Sequence, residues 1–140
     1  ELVVVIVILG ILAVTAAPRF LNLQDDARTA SAEGLRGAMA GAAGIIYGKS
    51  AIDGVEAQAS ASVTASGQTI DVVFGYPAET SAALHAAVSG LASDWTIVSG
   101  ATANTAIGFG FSDSSTDCYV EYQAAASSVA EPTITLQNCN

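Results

Sequence analysis

The chain has 140 residues, a formal net charge of −9 and only four basic side chains. That length suits one domain with an appended element, and the charge disfavours a phosphate backbone, so nucleic acid is not an expected direct partner. Half of the residues are hydrophobic, yet beyond the N-terminal run Ala, Ser, Gly and Thr dominate, so any core is small and suited to a covalent staple.

Residues Leu2 to Ala17 are apolar or small throughout, apart from Thr15, and Arg19 is the first charge after Glu1. A membrane helix needs about 17–25 apolar residues, which places this run at the lower edge. A signal peptide would open with basic residues, and a surface-packed core helix would be amphipathic; this run is neither. Gly10 weakens the helix, and Pro18 is expected to kink or open it between Val14 and Pro18.

After Pro18 a helical period resumes, with Phe20, Leu23, Ala27, Ala30, Leu35, Met39, Ala42 and Ile46 near one face. Residues 1–48 would then form a rod of roughly 70 Å. Gly34, Gly37, Gly41, Gly44 and Gly48 recur at spacings of three and four. Each costs a helix about 1 kcal/mol against Ala, so the ridge implies close packing. Packing against the protein's own sheet is the favoured explanation, with packing between subunits the sharper one.

Asp53-Gly54 marks a turn, and residues 55–68 read as an exposed loop. Ile70, Val72 and Phe74 share a strand face, and Thr80 to Ser93 reads as one short helix with Leu84, Val88 and Leu91 inward. Trp95 to Val98 is a further strand candidate. Alternation at Ile107-Phe109-Phe111, Cys118-Val120-Tyr122 and Ile134-Leu136 predicts half-buried antiparallel strands with polar outer faces. The long helix supplies a partner for their apolar side.

Cys118 and Cys139 are the two cysteines. An even count in a small domain of export-suited composition suggests one disulfide, closing a loop of about 20 residues and contributing roughly 3 kcal/mol. Two free buried thiols are the alternative. Pairing Cys118 directly opposite Cys139 would set apolar against polar on both faces. The better register opposes Val120 to Leu136 and Tyr122 to Ile134, with Cys139 just past the strand end or a bulge between.

Catalysis has little support. His85 is the single histidine and reads as a surface residue; Asp113 and Asp117 lack calcium-loop spacing and read as a solvated turn. No metal or cofactor is expected.

The stretch ELVVVIVILGILA followed by Pro18-Arg19-Phe20 resembles the N-terminus of type IV pilins. The segments AAGIIYGKSAIDGVE, VFGYP, CYVEY and TITLQNC resemble the mannose-sensitive haemagglutinin (MSHA) pilins more closely, and the C-terminal cysteine pair also looks like the pilin pattern. The resemblance implies an α+β fold in which a long N-terminal helix packs on a small antiparallel sheet. It divides the chain into a membrane and filament-core helix (1–18), an amphipathic continuation (19–50) and a disulfide-bonded head (51–140).

It implies a non-enzymatic subunit of an adhesive surface filament, held in the bacterial inner membrane before assembly and extracellular afterwards. Its partners would be further copies of itself, a prepilin peptidase, the pilus assembly machinery and, as candidate ligands, surface glycans. In such pilins an N-methylated phenylalanine lies a few residues before the glutamate that matches Glu1, so a short stretch is expected ahead of this sequence. Glu1 would neutralise a neighbour's amino terminus and set axial register. Leu2, Val5, Leu9, Gly10 and Pro18 would belong to the assembling helix. Arg19, Arg28 and Arg36 alone would argue for a cytoplasmic head; a removed basic leader would reverse that. The alternatives are a type II secretion pseudopilin, which typically lacks the C-terminal disulfide, and a membrane-tethered carbohydrate-binding module.

Overall fold

The computed structural model describes residues 1–101 and 106–139. One helix, α1 (Leu2–Asp53), occupies more than a third of the chain. It runs unbroken through Pro18, so the expected opening there is corrected. Pro18 still removes one N–H from the ladder. Nearby, Thr15 Oγ1 donates to Leu12 O at 3.0 Å, a local bond between side chain and backbone that a helix tolerates.

The helix ends at the Asp53-Gly54 turn. Gly54 takes a left-handed conformation (φ 71°), its N–H bonds Ala51 O, and Val55 N–H reaches back to Ser50 O at 2.9 Å. This is a Schellman cap, which glycine adopts without strain.

Among the described residues, seven short strands and two short helices follow: β1 (Ala61–Ala65), β2 (Gln68–Val73), β3 (Tyr76–Pro77), α2 (Ser81–Ala87), α3 (Leu91–Asp94), β4 (Thr96–Ile97), β5 (Ile107–Gly110), β6 (Tyr119–Gln123) and β7 (Thr133–Gln137). The strands make two antiparallel sheets, β1-β2-β3 and β4-β5-β6-β7, against the C-terminal half of α1. The expected α+β arrangement, a long N-terminal helix on small antiparallel sheet, is present.

The segment 55–68 is not all loop. Its second half is β1, paired with β2 across Ser66-Gly67, where both residues have positive φ. Two such residues make the tight turn whose twist suits a hairpin. Phe74-Gly75 joins β2 to β3 in the same way, which takes Phe74 out of the strand. The expected single helix over 80–93 is two. Thr80 caps α2 by accepting from Ala83 N–H, and the left-handed Gly90 (φ 81°) separates α2 from α3. Leu84, Val88 and Leu91 are all buried as expected.

The predicted register holds. Val120 opposes Leu136 and Tyr122 opposes Ile134. Cys139 lies two residues past β7, beyond Asn138 at positive φ, and bonds Cys118 with a Cα–Cα separation of 4.4 Å.

The core has three parts. Ala32, Leu35 and Met39 of α1 meet Leu84, Leu91, Phe109, Val120 and Tyr122; Ile46 meets Val63, Ile70 and Val72. Tyr122 ties the two sheets by donating from its hydroxyl to Pro77 O at 2.7 Å. The third part corrects the expectation of polar outer faces. Val98, Ala101 and Tyr119 cover the outside of β5. A methyl added at Gly108 would lie 2.7 Å from Ala101 Cβ, so glycine is what lets that cover close down.

Of the expected apolar face of α1, Leu35, Met39 and Ile46 are buried and Ala42 is half-buried, while Phe20, Leu23, Ala27 and Ala30 are exposed. Ala32, Ala43 and Ser50 complete the buried stripe. The head begins to cover α1 only at Arg28 and Thr29.

Candidate assembly surface

Residues 1–27 form a bare rod, every one of them exposed. Leu2 is 74% exposed, Val5 53% and Leu9 60%. The stretch is long and apolar enough to cross a membrane, and no part of its most apolar window is buried within the chain. Burying an aliphatic side chain is favourable by about 1.5–3 kcal/mol, so leaving this many in water is strongly unfavourable and the rod needs an apolar surrounding. As a continuous helix it satisfies its backbone internally except at its first turn and at the bond that Pro18 removes, and a helix is the form that can stand in lipid.

Glu1 occupies the N-cap position but makes no side-chain capping bond. Leu2, Val5 and Leu9 follow at three and four residues and fall along one line of the rod. Gly10 meets nothing within 4 Å of an added methyl, and Pro18 sits exposed within the unbroken helix.

The line of Leu2, Val5 and Leu9 continues through Leu12, Ala16, Phe20 and Leu23, and on to Gly34, Gly41, Ile45, Gly48 and Ile52. At about 100° per residue it lies roughly opposite the stripe that α1 buries against the sheets. Gly34, Gly37, Gly41, Gly44 and Gly48 are all on this outward side. None has an atom within 4 Å of an added methyl, so the explanation by packing against the protein's own sheet is overturned. Ile45 and Ile52, on the same side, are 73% and 82% exposed.

At the base of the head, Asp25, Arg28, Thr29, Thr116, Asp117 and Asn138 border a polar cleft of about 180 Å³ beside the disulfide. Ser112 Oγ donates to Asp117 Oδ2 at 2.5 Å, and Asn138 Nδ2 donates to Ser115 O, which fixes this loop. The Arg28 guanidinium lies 5.8 Å from the centre of the Phe111 ring, and Phe111 in turn packs on Trp95 at 4.9 Å. Asp117 is thus engaged in its own turn, while Asp113 lies in the same loop.

Among the described residues no group of three or more metal-ligating side chains comes together. His85 is half-buried and not on the open surface as expected. Its ring lies 5.7 Å from Phe109, and its Nε2 is buried without a hydrogen-bond partner. The apolar helix was legible from sequence. The base cleft was not, because its residues are scattered from position 25 to 138.

No protein family, curated protein or solved structure matches this chain.

Proposed function

We propose that this chain is the repeating structural subunit of a type IV pilus of the MSHA type, polymerising through α1 into an adhesive surface filament. The observation that carries this reading is the bare apolar rod, exposed along its whole length beside a head that is otherwise closed around its own core. One such helix can stand in lipid before assembly and among copies of itself afterwards. Both surroundings are apolar, so the exchange is close to neutral in hydrophobic energy and depends on packing.

The arrangement of α1 on an antiparallel sheet and the Cys118–Cys139 bond both support the resemblance. The disulfide also weighs against the pseudopilin alternative and fits an oxidising compartment. Under this reading the protein works without catalysis, and the outward surface of the head contacts other cells, surfaces or glycans.

Electron microscopy of shear-released surface material, labelled for this chain, tests the reading. Labelled filaments along their full length are expected. Labelling confined to membrane fractions, with no filaments, would contradict it.

A further inference from the structure

The charges of this chain are segregated. All four cations lie on α1 between Arg19 and Lys49, while nine of the thirteen carboxylates lie at Asp53 or beyond. Arg36 pairs with Glu33 at 2.9 Å, and Lys49 pairs with Asp53 at 2.7 Å. Arg28 sits over Phe111 at the base cleft. Arg19 differs from these three. It stands on the bare rod, exposed, and among the described residues it forms no ion pair. Asp25, the nearest carboxylate along α1, is six residues on, roughly 9 Å up the rod.

Copies that each carry −9 repel one another. Association through the rods therefore favours a register in which a cation of one copy meets carboxylates of the next. The range of registers is narrow. The apolar stretch Leu2 to Ala17 is about 24 Å long, so a larger axial offset would separate the stretches altogether. Within that limit Arg19 reaches no higher than about residue 35 of a neighbouring helix. The far acids Asp53 and Glu56 are out of range. Glu33 is already in an ion pair, which leaves Asp25 and Asp26 with the loop acids Asp113 and Asp117, the last of which accepts a hydrogen bond from Ser112 but has no cation paired to it among the described residues. Asp25 and Asp117 share the open cleft at the base of the head with one cation, Arg28.

The geometry points to a contact between copies in which Arg19 of one chain enters the Asp25–Asp117 cleft of the next, the two rods being offset by about 9–15 Å. The contact rests on the self-assembly reading above and names the surface and register that it uses. An arginine suits the position, because its planar fork can address two carboxylate groups from one side chain. The contact is heterologous, with different surfaces of the two copies meeting, so it can repeat indefinitely as a helical filament requires.

A reciprocal charge exchange between two full-length chains tests it. One chain carries Arg19→Asp and the other Asp25→Arg. Both positions are exposed, and membrane insertion and disulfide formation are followed as controls for folding. Expressed alone in the producing cell, each variant juxtaposes like charges, and filament yield in sheared material should fall at least tenfold. When the two are co-expressed and alternate along the filament, every contact again joins one cation to one carboxylate. Yield should then recover to within twofold of wild type, with both chains in the same filaments. Wild-type yield from either variant alone, or no recovery from the mixture while both chains insert and oxidise normally, would overturn the contact and leave assembly through the rod standing. Absence of filaments from the wild-type chain would instead remove the assembly reading, and this contact with it.

Discussion

Tyr122 carries two duties at one position. Its ring fills the core between α1 and the four-stranded sheet, and its hydroxyl ties that sheet to Pro77 of the other. Burial, then the nearby Glu79 carboxylate, and then Tyr76, push its pKa well above the ordinary tyrosine value of 10.0. In the unfolded chain the phenol ionises near pH 10, while in the folded chain it stays protonated. Between those two points the folded state binds more protons, so stability falls as pH rises. Full stability is expected below about pH 10, with progressive loss above it. Alkaline unfolding of the full chain in detergent, followed by circular dichroism, checks this. Tyr122→Phe should flatten the alkaline slope while lowering neutral-pH stability by about 1 kcal/mol through the lost bond.

Two glycines make a contrasting pair at the same scale. Gly75 has φ 83°, and an added methyl would lie 2.9 Å from the Tyr47 ring. Gly75→Ala should cost about 1–3 kcal/mol from backbone strain and overlap. Gly41 is in ordinary helix with open space beside it. Gly41→Ala should therefore raise stability by about 1 kcal/mol. Thermal melts of the two variants should move in opposite directions from wild type.

Among the elements, those with large apolar residues were legible. The β6–β7 register followed from opposing Val120 to Leu136 and Tyr122 to Ile134, because the opposite choice puts polar groups inside. Strand β1 was missed because Ala, Ser and Thr leave Val63 as its single large apolar side chain. The signal that could have found it was Ser66-Gly67, a two-residue hairpin turn between short runs. The helix expected over 80–93 carried the right inward residues but the wrong continuity, since Gly90 in a left-handed conformation breaks it. Along α1 the apolar period persists on more than one side. Sequence therefore placed Leu35, Met39 and Ile46 on the buried side, but joined to them Phe20, Leu23, Ala27 and Ala30, which the head does not cover, and favoured the wrong side for the glycine ridge. The third core cluster was hidden for a related reason: Gly108 and Gly110 carry no side chain to mark that face as buried, and Val98, Ala101 and Tyr119 close over them.

At the level of the whole molecule, the chain joins two bodies with different needs. The head closes around its own small core and is stapled by Cys118–Cys139. The rod is continuous helix through Pro18 but covers none of its apolar side chains. An isolated copy in water would leave that surface exposed, so an apolar surrounding must supply the cover. In the proposed filament, the uncharged line from Leu2 to Leu23 would be the seam between copies, and Arg19, the one cation on the bare rod, would limit how they slide along it. A photo-crosslinking residue placed at Leu9 of the full chain, in material sheared from the cell surface, tests this account most directly. Ladders of covalently joined copies, with the adduct mapped to the apolar stretch of a second chain, are predicted. A product confined to single chains, with Leu9 joined to its own head, would contradict it.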